Sequence, residues 1–189
     1  MTNVVLLGGN GYIGRNVTEK WLKKAPSAVF YVISRSGKNQ LANSRIYNLA
    51  ADVSDYKAVA AVLPDQVDYI VDFVGRPESD PAAFEEVNDK PAQVMLQIAK
   101  DKQVKAIGFI GGLLGPKSFL DGKKRIADQL RASGIRTEVV EPTVVYGNGR
   151  SDALAKLVPV LKFFGIFMKN MKPVLVTEVA DELVSKMVK

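Results

Sequence analysis

The sequence contains no cysteine and no histidine. The absence of cysteine excludes disulfide bonds, thiolate zinc sites, iron–sulfur clusters and cysteine nucleophiles. The absence of histidine excludes a Ser-His-Asp triad and metal sites built on imidazole, and we expect no metal. Any chemistry must therefore depend on Lys, Tyr, Ser, Asp, Glu or Arg, or on a bound cofactor.

Long hydrophobic runs are also missing. The most apolar late stretch covers 154–168, and it is interrupted by Lys156, Pro159 and Lys162. A membrane-spanning helix needs about 20 predominantly apolar residues in succession. Residues 1–3 carry none of the basic side chains that open a signal peptide. We therefore expect a cytoplasmic protein.

The composition is that of an ordinary globular protein. The 189 residues are 47% apolar and 24% charged, which suits one domain with a sizeable core. Lys and Arg exceed Asp and Glu by 26 to 20, so the net charge is +6. This balance permits anionic partners such as nucleotides, nucleic acid or an acidic membrane surface. The basic residues are dispersed and no recognised nucleic-acid-binding module is present, so we expect no nucleic-acid partner.

Short apolar runs alternate with helix-like stretches along most of the chain. The predicted strands are Val4–Leu7, Ala28–Ile33, Arg45–Leu49, Val67–Val74, Lys105–Ile110 and Arg136–Val140, and the predicted helices are Val17–Lys24, Asp55–Leu63, Pro81–Lys100 and Lys117–Ala132. Such alternation implies right-handed crossovers and a parallel sheet that is covered on both faces. We expect a doubly wound α/β Rossmann fold with strand order 3-2-1-4-5-6. The whole chain, 1–189, is predicted to be one domain, with 151–189 as a small C-terminal extension within it.

A glycine-rich loop follows the first predicted strand. Gly8, Gly11 and Gly14 are spaced three residues apart, between that strand and a helix. Gly8 permits a tight turn, Gly11 lets the backbone approach a diphosphate, and Gly14 lets the helix pack close to the sheet. The free N–H groups at the start of the helix then face an anion. The spacing predicts a dinucleotide-binding loop, and the alternative is a purely structural glycine turn.

The G-x-x-G-x-x-G spacing resembles the corresponding loop of the short-chain dehydrogenase/reductase superfamily. The continuation through Tyr12, Ile13, Gly14 and Arg15 is similar to its extended and atypical members, the NmrA-like and epimerase-like proteins. The resemblance covers essentially the whole chain. It implies that the loop residues bind NAD(P), and these are Gly8, Asn10, Gly11, Tyr12, Ile13, Gly14 and Arg15.

The same resemblance assigns roles at the ends of later strands. Asp52 and Val53 match the family's adenine-contacting position. The segment of Val74, Gly75 and Arg76 ends the fourth strand, where family members pass beneath the ribose and the nicotinamide. With the two residues before it, this segment is similar to the branch that contains the NAD(P)-binding accessory subunit of respiratory complex I.

The end of the second strand bears on the choice between NAD and NADP. An acidic residue there would bind the adenosine ribose hydroxyls and favour NAD, but the sequence has Ser34, Arg35 and Ser36. Arg35 is expected to stack on adenine and grip a 2′-phosphate, with Ser34 or Ser36 donating hydrogen bonds and Arg15 reaching the same phosphate. The sequence therefore favours NADP(H) over NAD(H). The alternative is that Arg35 is a solvated loop charge.

The catalytic residues typical of the family are missing. Family enzymes use a Tyr whose pKa is lowered by a Lys four residues later. Counting back from Lys123 gives Phe119, and counting back from Lys124 gives Leu120. The expected serines after the fifth strand are replaced by 111–112, both glycine, and the expected Arg-Pro after the sixth strand is Glu-Pro at 141–142. These departures argue against the usual proton relay.

Three residues remain as candidates near the reacting end of a cofactor. Lys123 and Lys124 are candidates for contacting the nicotinamide ribose, and the alternative is a solvated basic helix face. Tyr146 is a candidate to substitute for the missing Tyr, in a loop predicted to lie near the nicotinamide. The ligand cleft is expected at the carboxyl ends of the strands, where Pro142 and Val145 complete the predicted cofactor-binding set.

A predicted apolar and basic helix over 153–172 contains no acidic residue. Four interpretations remain open: a cover over the substrate cleft, a protein-partner or dimer surface, an interfacial helix on acidic lipid, and a core-packing lid with snorkelling lysines. Flotation with anionic liposomes tests the lipid interpretation, and absence of co-flotation dismisses it.

In the predicted active site the cofactor-binding residues are intact and the family's catalytic residues are altered. Two functions are consistent with this combination. The first is an NADP(H)-dependent oxidoreductase that acts on a small or apolar acceptor without the usual Tyr. The second is a non-catalytic NAD(P)-binding sensor, scaffold or assembly factor with no small-molecule substrate. A sugar-nucleotide epimerase or dehydratase is a third, weaker alternative, because it too normally needs the Tyr.

Overall fold

Six parallel strands form the central sheet in a computed structural model that describes residues 2–149 and 172–189. Their order in the sheet is β3-β2-β1-β4-β5-β6, which confirms the predicted doubly wound Rossmann fold. The strands are β1 (Thr2–Leu7), β2 (Ala28–Ser34), β3 (Ile46–Ala50), β4 (Tyr69–Asp72), β5 (Ala106–Ile110) and β6 (Thr137–Val140). The order reverses between β1 and β4, so the connections that leave their carboxyl ends run in opposite directions and leave a crevice.

Helices cover both faces of this sheet. They are α1 (Tyr12–Lys24), α2 (Tyr56–Ala60), α3 (Pro81–Phe84), α4 (Lys90–Asp101), α5 (Lys117–Arg131) and α6 (Val176–Met187). β1 is apolar on both sides: Val5 and Leu7 face one hydrophobic cluster, and Val4 and Leu6 face the other. All four side chains are fully buried. This two-sided burial explains why β1 is a continuous apolar run in the sequence.

The helix predicted over Pro81–Lys100 is interrupted. A five-residue π-helical turn, Glu85–Asp89, separates α3 from α4. Pro91 lies in the first turn of α4 and has no N–H, so it cannot make the regular bond to the carbonyl four residues earlier. The wider π turn accommodates this loss and directs Asn88 into the protein, where it is fully buried.

The end of the chain completes one helical layer. β7 (Val145–Tyr146) pairs in parallel with β8 (Val174–Leu175). α6 then packs against α1 in the same hydrophobic cluster as Trp21. The predicted helix over 153–172 lies almost wholly outside the described residues. Within 2–149 and 172–189, no helix is long and apolar enough to cross a membrane.

Candidate functional site

The glycine-rich loop joins β1 to the start of α1. Gly8 has φ +70°, and a Cβ added there would lie 2.8 Å from Cγ2 of Val74 on the neighbouring strand connection. Gly11 is the N-cap of α1 and supplies no capping side chain, and the first turn carries no acidic residue. The positive end of the α1 dipole therefore faces the loop, and no carboxylate of the first turn neutralises it. This arrangement favours an anionic ligand.

Gly14 is required for close packing, but its contact differs from the expected one. A Cβ at Gly14 would lie 2.6 Å from Cα of Gly9, so the first helical turn rests on the loop backbone rather than on the sheet. Gly9 is itself constrained, because an added Cβ would lie 2.7 Å from Cβ of Leu6. The three-residue spacing of the motif did not reveal Gly9, which these close contacts identify.

Two cavities continue from this loop along the carboxyl ends of β2, β3 and β4. One has a volume of about 260 Å³ and the other of about 300 Å³. Between them they bring together predicted cofactor-binding residues from four separate segments of the chain. Those residues are Gly8, Asn10, Ser34, Arg35, Ser36, Asp52, Val53, Val74, Gly75 and Arg76.

Asp52 places a negative charge at the rim of the first cavity. Its Oδ1 accepts hydrogen bonds from the Ser54 amide at 3.0 Å and the Ser54 hydroxyl at 2.8 Å. These two bonds lower the pKa of the Asp52 carboxyl, and the positive charge of Arg35 lowers it further. The carboxylate is thus available as a hydrogen-bond acceptor beside Arg35.

A third cavity of about 450 Å³ lies on the outer side of the loop. Arg15 and Lys38 line it together with Ser36, and none of its lining residues is acidic. Asn10 links the glycine-rich loop to the segment after β2, because its Nδ2 donates to the Lys38 carbonyl at 3.0 Å. Arg35 lies in the two adjoining cavities, so the groups predicted to meet a 2′-phosphate lie around one end of the groove.

The predicted cofactor-binding residues Pro142 and Val145 lie in the segment after β6, and neither lines any of these three cavities. Pro142 and Val145 are both buried there, and the Pro142 carbonyl accepts from the Leu113 amide at 2.9 Å. The Tyr12 hydroxyl donates to the Gly147 carbonyl at 2.7 Å, which ties the start of α1 to this segment. Tyr146 is half-buried in β7.

The two candidate lysines have opposite environments. Lys124 is exposed and forms an ion pair with Asp128 on the same helix, so it belongs to the solvated face. Lys123 is only 4% exposed, and its Nζ donates to the Val74 carbonyl at 3.2 Å. The Nζ also lies 4.5 Å from the centroid of the Phe109 ring. Burial lowers the pKa of Lys123, while nearby Asp72 and Asp89 oppose that effect.

Asp72 is a buried charge to which the sequence analysis gave no role. It is fully buried at the end of β4, and its Oδ1 accepts from the Val74 amide at 2.8 Å. Its Oδ2 has no hydrogen-bond partner among residues 2–149 and 172–189. Burial raises the pKa of Asp72 to about 6, although Lys123 and the Val74 amide oppose the rise. The signal available in the sequence was an acid closing an otherwise apolar strand.

A glycine loop at the reversal of strand order, with a groove at the carboxyl ends of the strands, defines a dinucleotide-binding Rossmann protein. The sequence profile of the NAD dependent epimerase/dehydratase family matches residues 4–116 of the 189, and the chain belongs to this family. Membership confirms the resemblance to extended short-chain dehydrogenases/reductases. The family's cofactor is a nicotinamide dinucleotide. No curated protein sequence matches the chain.

Solved structures share the fold at low sequence identity. Pen from Bacillus thuringiensis is 18% identical with a TM-score of 0.75; the match covers 99% of this chain and 65% of Pen. WbmH from Bordetella bronchiseptica, solved with NAD+, is 15% identical with a TM-score of 0.73, covering 100% of this chain and 72% of WbmH. A Rossmann-fold NAD(P)-binding family protein from Shigella flexneri is 20% identical with a TM-score of 0.72, covering 100% and 87%. The chain thus spans just under two thirds of the length of Pen.

Proposed function

We propose that the protein binds NADP(H) and acts as an atypical oxidoreductase on a small or apolar acceptor. The observation that carries the cofactor assignment is the basic, acid-free cavity lined by Arg15 and Lys38, beside Arg35. A 2′-phosphate is recognised by such donors. NAD(H) recognition uses a carboxylate at the end of β2, where this chain has Ser34 and Arg35.

The residues present fit a nicotinamide dinucleotide. The glycine loop leaves space that side chains would fill, since a Cβ at Gly11 would already lie 3.2 Å from the Gly8 carbonyl oxygen. The Ser34 hydroxyl is buried without a partner in the described part of the chain, so it is available to a ligand in the cavity it lines. The bound cofactor supplies the hydride chemistry, and the chain binds and orients it.

Calorimetry with NADPH and NADH tests the cofactor assignment. The wild-type protein is expected to bind NADPH more tightly. Arg35→Ala is expected to weaken NADPH binding by about 10- to 100-fold, because charge-assisted hydrogen bonds are lost, and to change NADH binding little. Arg131→Ala, an exposed arginine on α5, is the control. Tighter binding of NADH by the wild-type protein would refute the assignment.

The apolar character of the predicted substrate end supports the choice of acceptor. Phe119 takes the place of the family's Tyr if Lys123 matches the family's Lys, and Leu120 takes it if Lys124 does; both side chains are apolar. Leu113 and Leu114, in the connection after β5, are 51% and 38% exposed. A quinone- or flavin-type acceptor takes its proton from solvent, so reducing it needs no protein acid. NADPH oxidation with a panel of quinones and carbonyl compounds tests this, and turnover with quinones alone is expected.

A non-catalytic NAD(P)-binding module is the second candidate function. The observation that favours it is the environment of Lys123, whose amine bonds to the protein backbone. Tight cofactor binding without turnover on the whole panel would select this alternative. Sugar-nucleotide epimerisation is less favoured, because neither Phe119 nor Leu120 can transfer a proton.

A further inference from the structure

The turn after β4, formed by Val74, Gly75 and Arg76, is held by hydrogen bonds at both ends. At Val74, the amide donates to Asp72 Oδ1 at 2.8 Å and the carbonyl accepts from Lys123 Nζ at 3.2 Å. At Arg76, the amide donates to Asn88 Oδ1 at 3.2 Å and the carbonyl accepts from Asn88 Nδ2 at 3.0 Å. Every one of these partners is a side chain, so the shape of the turn depends on the side chains of Asp72, Asn88 and Lys123.

The three side chains come from different elements and are buried together. Asp72 ends β4, Asn88 lies in the π turn and Lys123 lies in α5. Asp72 and Asn88 are fully buried, and Lys123 is 4% exposed. Gly75 has φ +135°, and an added Cβ would lie 2.5 Å from both Asn88 Oδ1 and Lys123 Nζ. The inner side of the turn therefore rests directly on these polar atoms.

The other side of the turn faces the groove. Val74, Gly75 and Arg76 all line the 260 Å³ cavity with Arg35, and Lys123 is absent from the lining of this cavity and of the neighbouring 300 Å³ cavity. The Lys123 ammonium is enclosed by aromatic rings, with the Phe119 centroid at 5.9 Å as well as Phe109 at 4.5 Å.

We propose that Lys123 is a positioning residue for the nucleotide: with Asp72 and Asn88 it fixes the Val74–Arg76 turn. This turn lines one cavity with Arg35 and with Asp52 and Val53, the predicted adenine contacts, so it belongs to the adenine side of the groove rather than to the nicotinamide side that the family resemblance implies. This positioning role rests on the proposed function, because it presupposes a dinucleotide in the groove. It differs from a direct contact with the nicotinamide ribose, the role that the family resemblance suggests for a lysine here. The two roles predict different effects on a ligand that lacks the nicotinamide half.

Calorimetric titration with NADPH and with adenosine 2′,5′-bisphosphate separates the two roles. Lys123→Met replaces the lysine with an unbranched side chain that is one atom shorter, and it loses the hydrogen bond to the Val74 carbonyl. It is expected to weaken both ligands by the same factor, about tenfold. The matched control is Lys117→Met, an exposed lysine in the same helix, which is expected to leave both affinities unchanged. A loss confined to NADPH would overturn the proposal in favour of direct ribose contact.

Amide hydrogen exchange of the free protein keeps this test independent of the proposed function. Lys123→Met is expected to speed exchange at Val74 and Arg76, whereas Lys117→Met is not. Unchanged exchange would overturn the positioning role. If the wild-type protein binds neither NADPH nor NADH, the proposed function fails. The exchange result still tests whether Lys123 holds the Val74–Arg76 turn. The double variant Asp72→Asn/Lys123→Met removes both buried charges and serves if the single variant does not fold; it is expected to show the same loss of affinity and the same faster exchange.

Discussion

Gly122 shows how a single residue depends on its tertiary contacts. It lies within α5, where helix propensity alone favours alanine by about 1 kcal/mol. An added Cβ would meet the buried Phe84 ring, at 2.7 Å from Cε1. We expect Gly122→Ala to lower the free energy of unfolding by about 1–3 kcal/mol, because the core is overpacked.

Urea denaturation measures this effect. Ser118→Ala, an exposed position in the same helix, serves as the control and is expected to stay within about 0.5 kcal/mol of wild type. A higher unfolding midpoint for Gly122→Ala would mean that propensity outweighs the contact with Phe84.

The buried charges of Asp72 and Lys123 predict a stability that depends on pH. Lys123 faces Asp72 from α5, and Asp89 faces Lys123 from the π turn while bonded to Arg125. Removing the ammonium with Lys123→Met leaves the Asp72 carboxylate buried without its cation. We expect a loss of about 3–5 kcal/mol at pH 8, where Asp72 is ionised.

The loss should shrink at pH 5. Burial already raises the pKa of Asp72 from 3.8 to about 6, and loss of Lys123 raises it further. The folded state therefore takes up a proton as the pH falls through that value, before the unfolded state does, and gains stability. Urea denaturation at both pH values measures the difference, with Asp72→Asn/Lys123→Met expected to remove it. An equal loss at pH 5 and pH 8 would contradict the ionised state of Asp72.

At the scale of elements, the π turn between α3 and α4 determines where Asn88 points. Its side chain bonds both backbone groups of Arg76 and donates to the Phe84 carbonyl at 3.2 Å. We expect Asn88→Ala to lower the free energy of unfolding by about 1–3 kcal/mol, because the Arg76 amide and carbonyl lose their partners.

Chemical denaturation checks this prediction, with Glu85→Ala as the exposed control in the same turn. Equal stability of the two variants would show that water replaces Asn88 at the Arg76 backbone.

The elements themselves were largely predictable. All six strands of the sheet were predictable from short apolar runs. Two-sided burial explains the continuous apolar sequence of β2 and β5, whereas β3 is mostly exposed. The sequence predicts that α1 begins at Val17, whereas the helix begins at Tyr12. The glycine-rich loop ends at Gly11, and Gly14 lies within the helix. The π turn was not predicted, because its stability depends on the partners of Asn88 in another segment.

At the scale of the whole molecule, α6 joins the end of the chain to its beginning. Leu183, Val184 and Met187 are fully buried and share a cluster with Trp21 of α1. We expect Leu183→Ala to cost about 2–5 kcal/mol of stability, through lost burial and the cavity that remains. Thermal or urea unfolding measures it, with the exposed Glu182→Ala as control.

A small effect at Leu183, comparable to that at Glu182, would show that α6 is a peripheral addition. A large one would show that the last helix is part of the same cooperative core as the glycine loop.

The sequence by itself determined the fold class and the glycine loop, because these depend on patterns local to each segment: apolar runs, glycine spacing and the alternation of strands with helices. The strand order was predictable only as the order typical of that fold class. The sequence also pointed to most of the residues that line the groove, since parallel strands bring their carboxyl ends to one edge. Only the tertiary structure showed that Lys123, Asp72 and Asn88 are buried together and hold one turn of the backbone. Their burial and partners come from β4, the π turn and α5 meeting behind one turn, and contacts between distant segments leave no periodic trace in the chain.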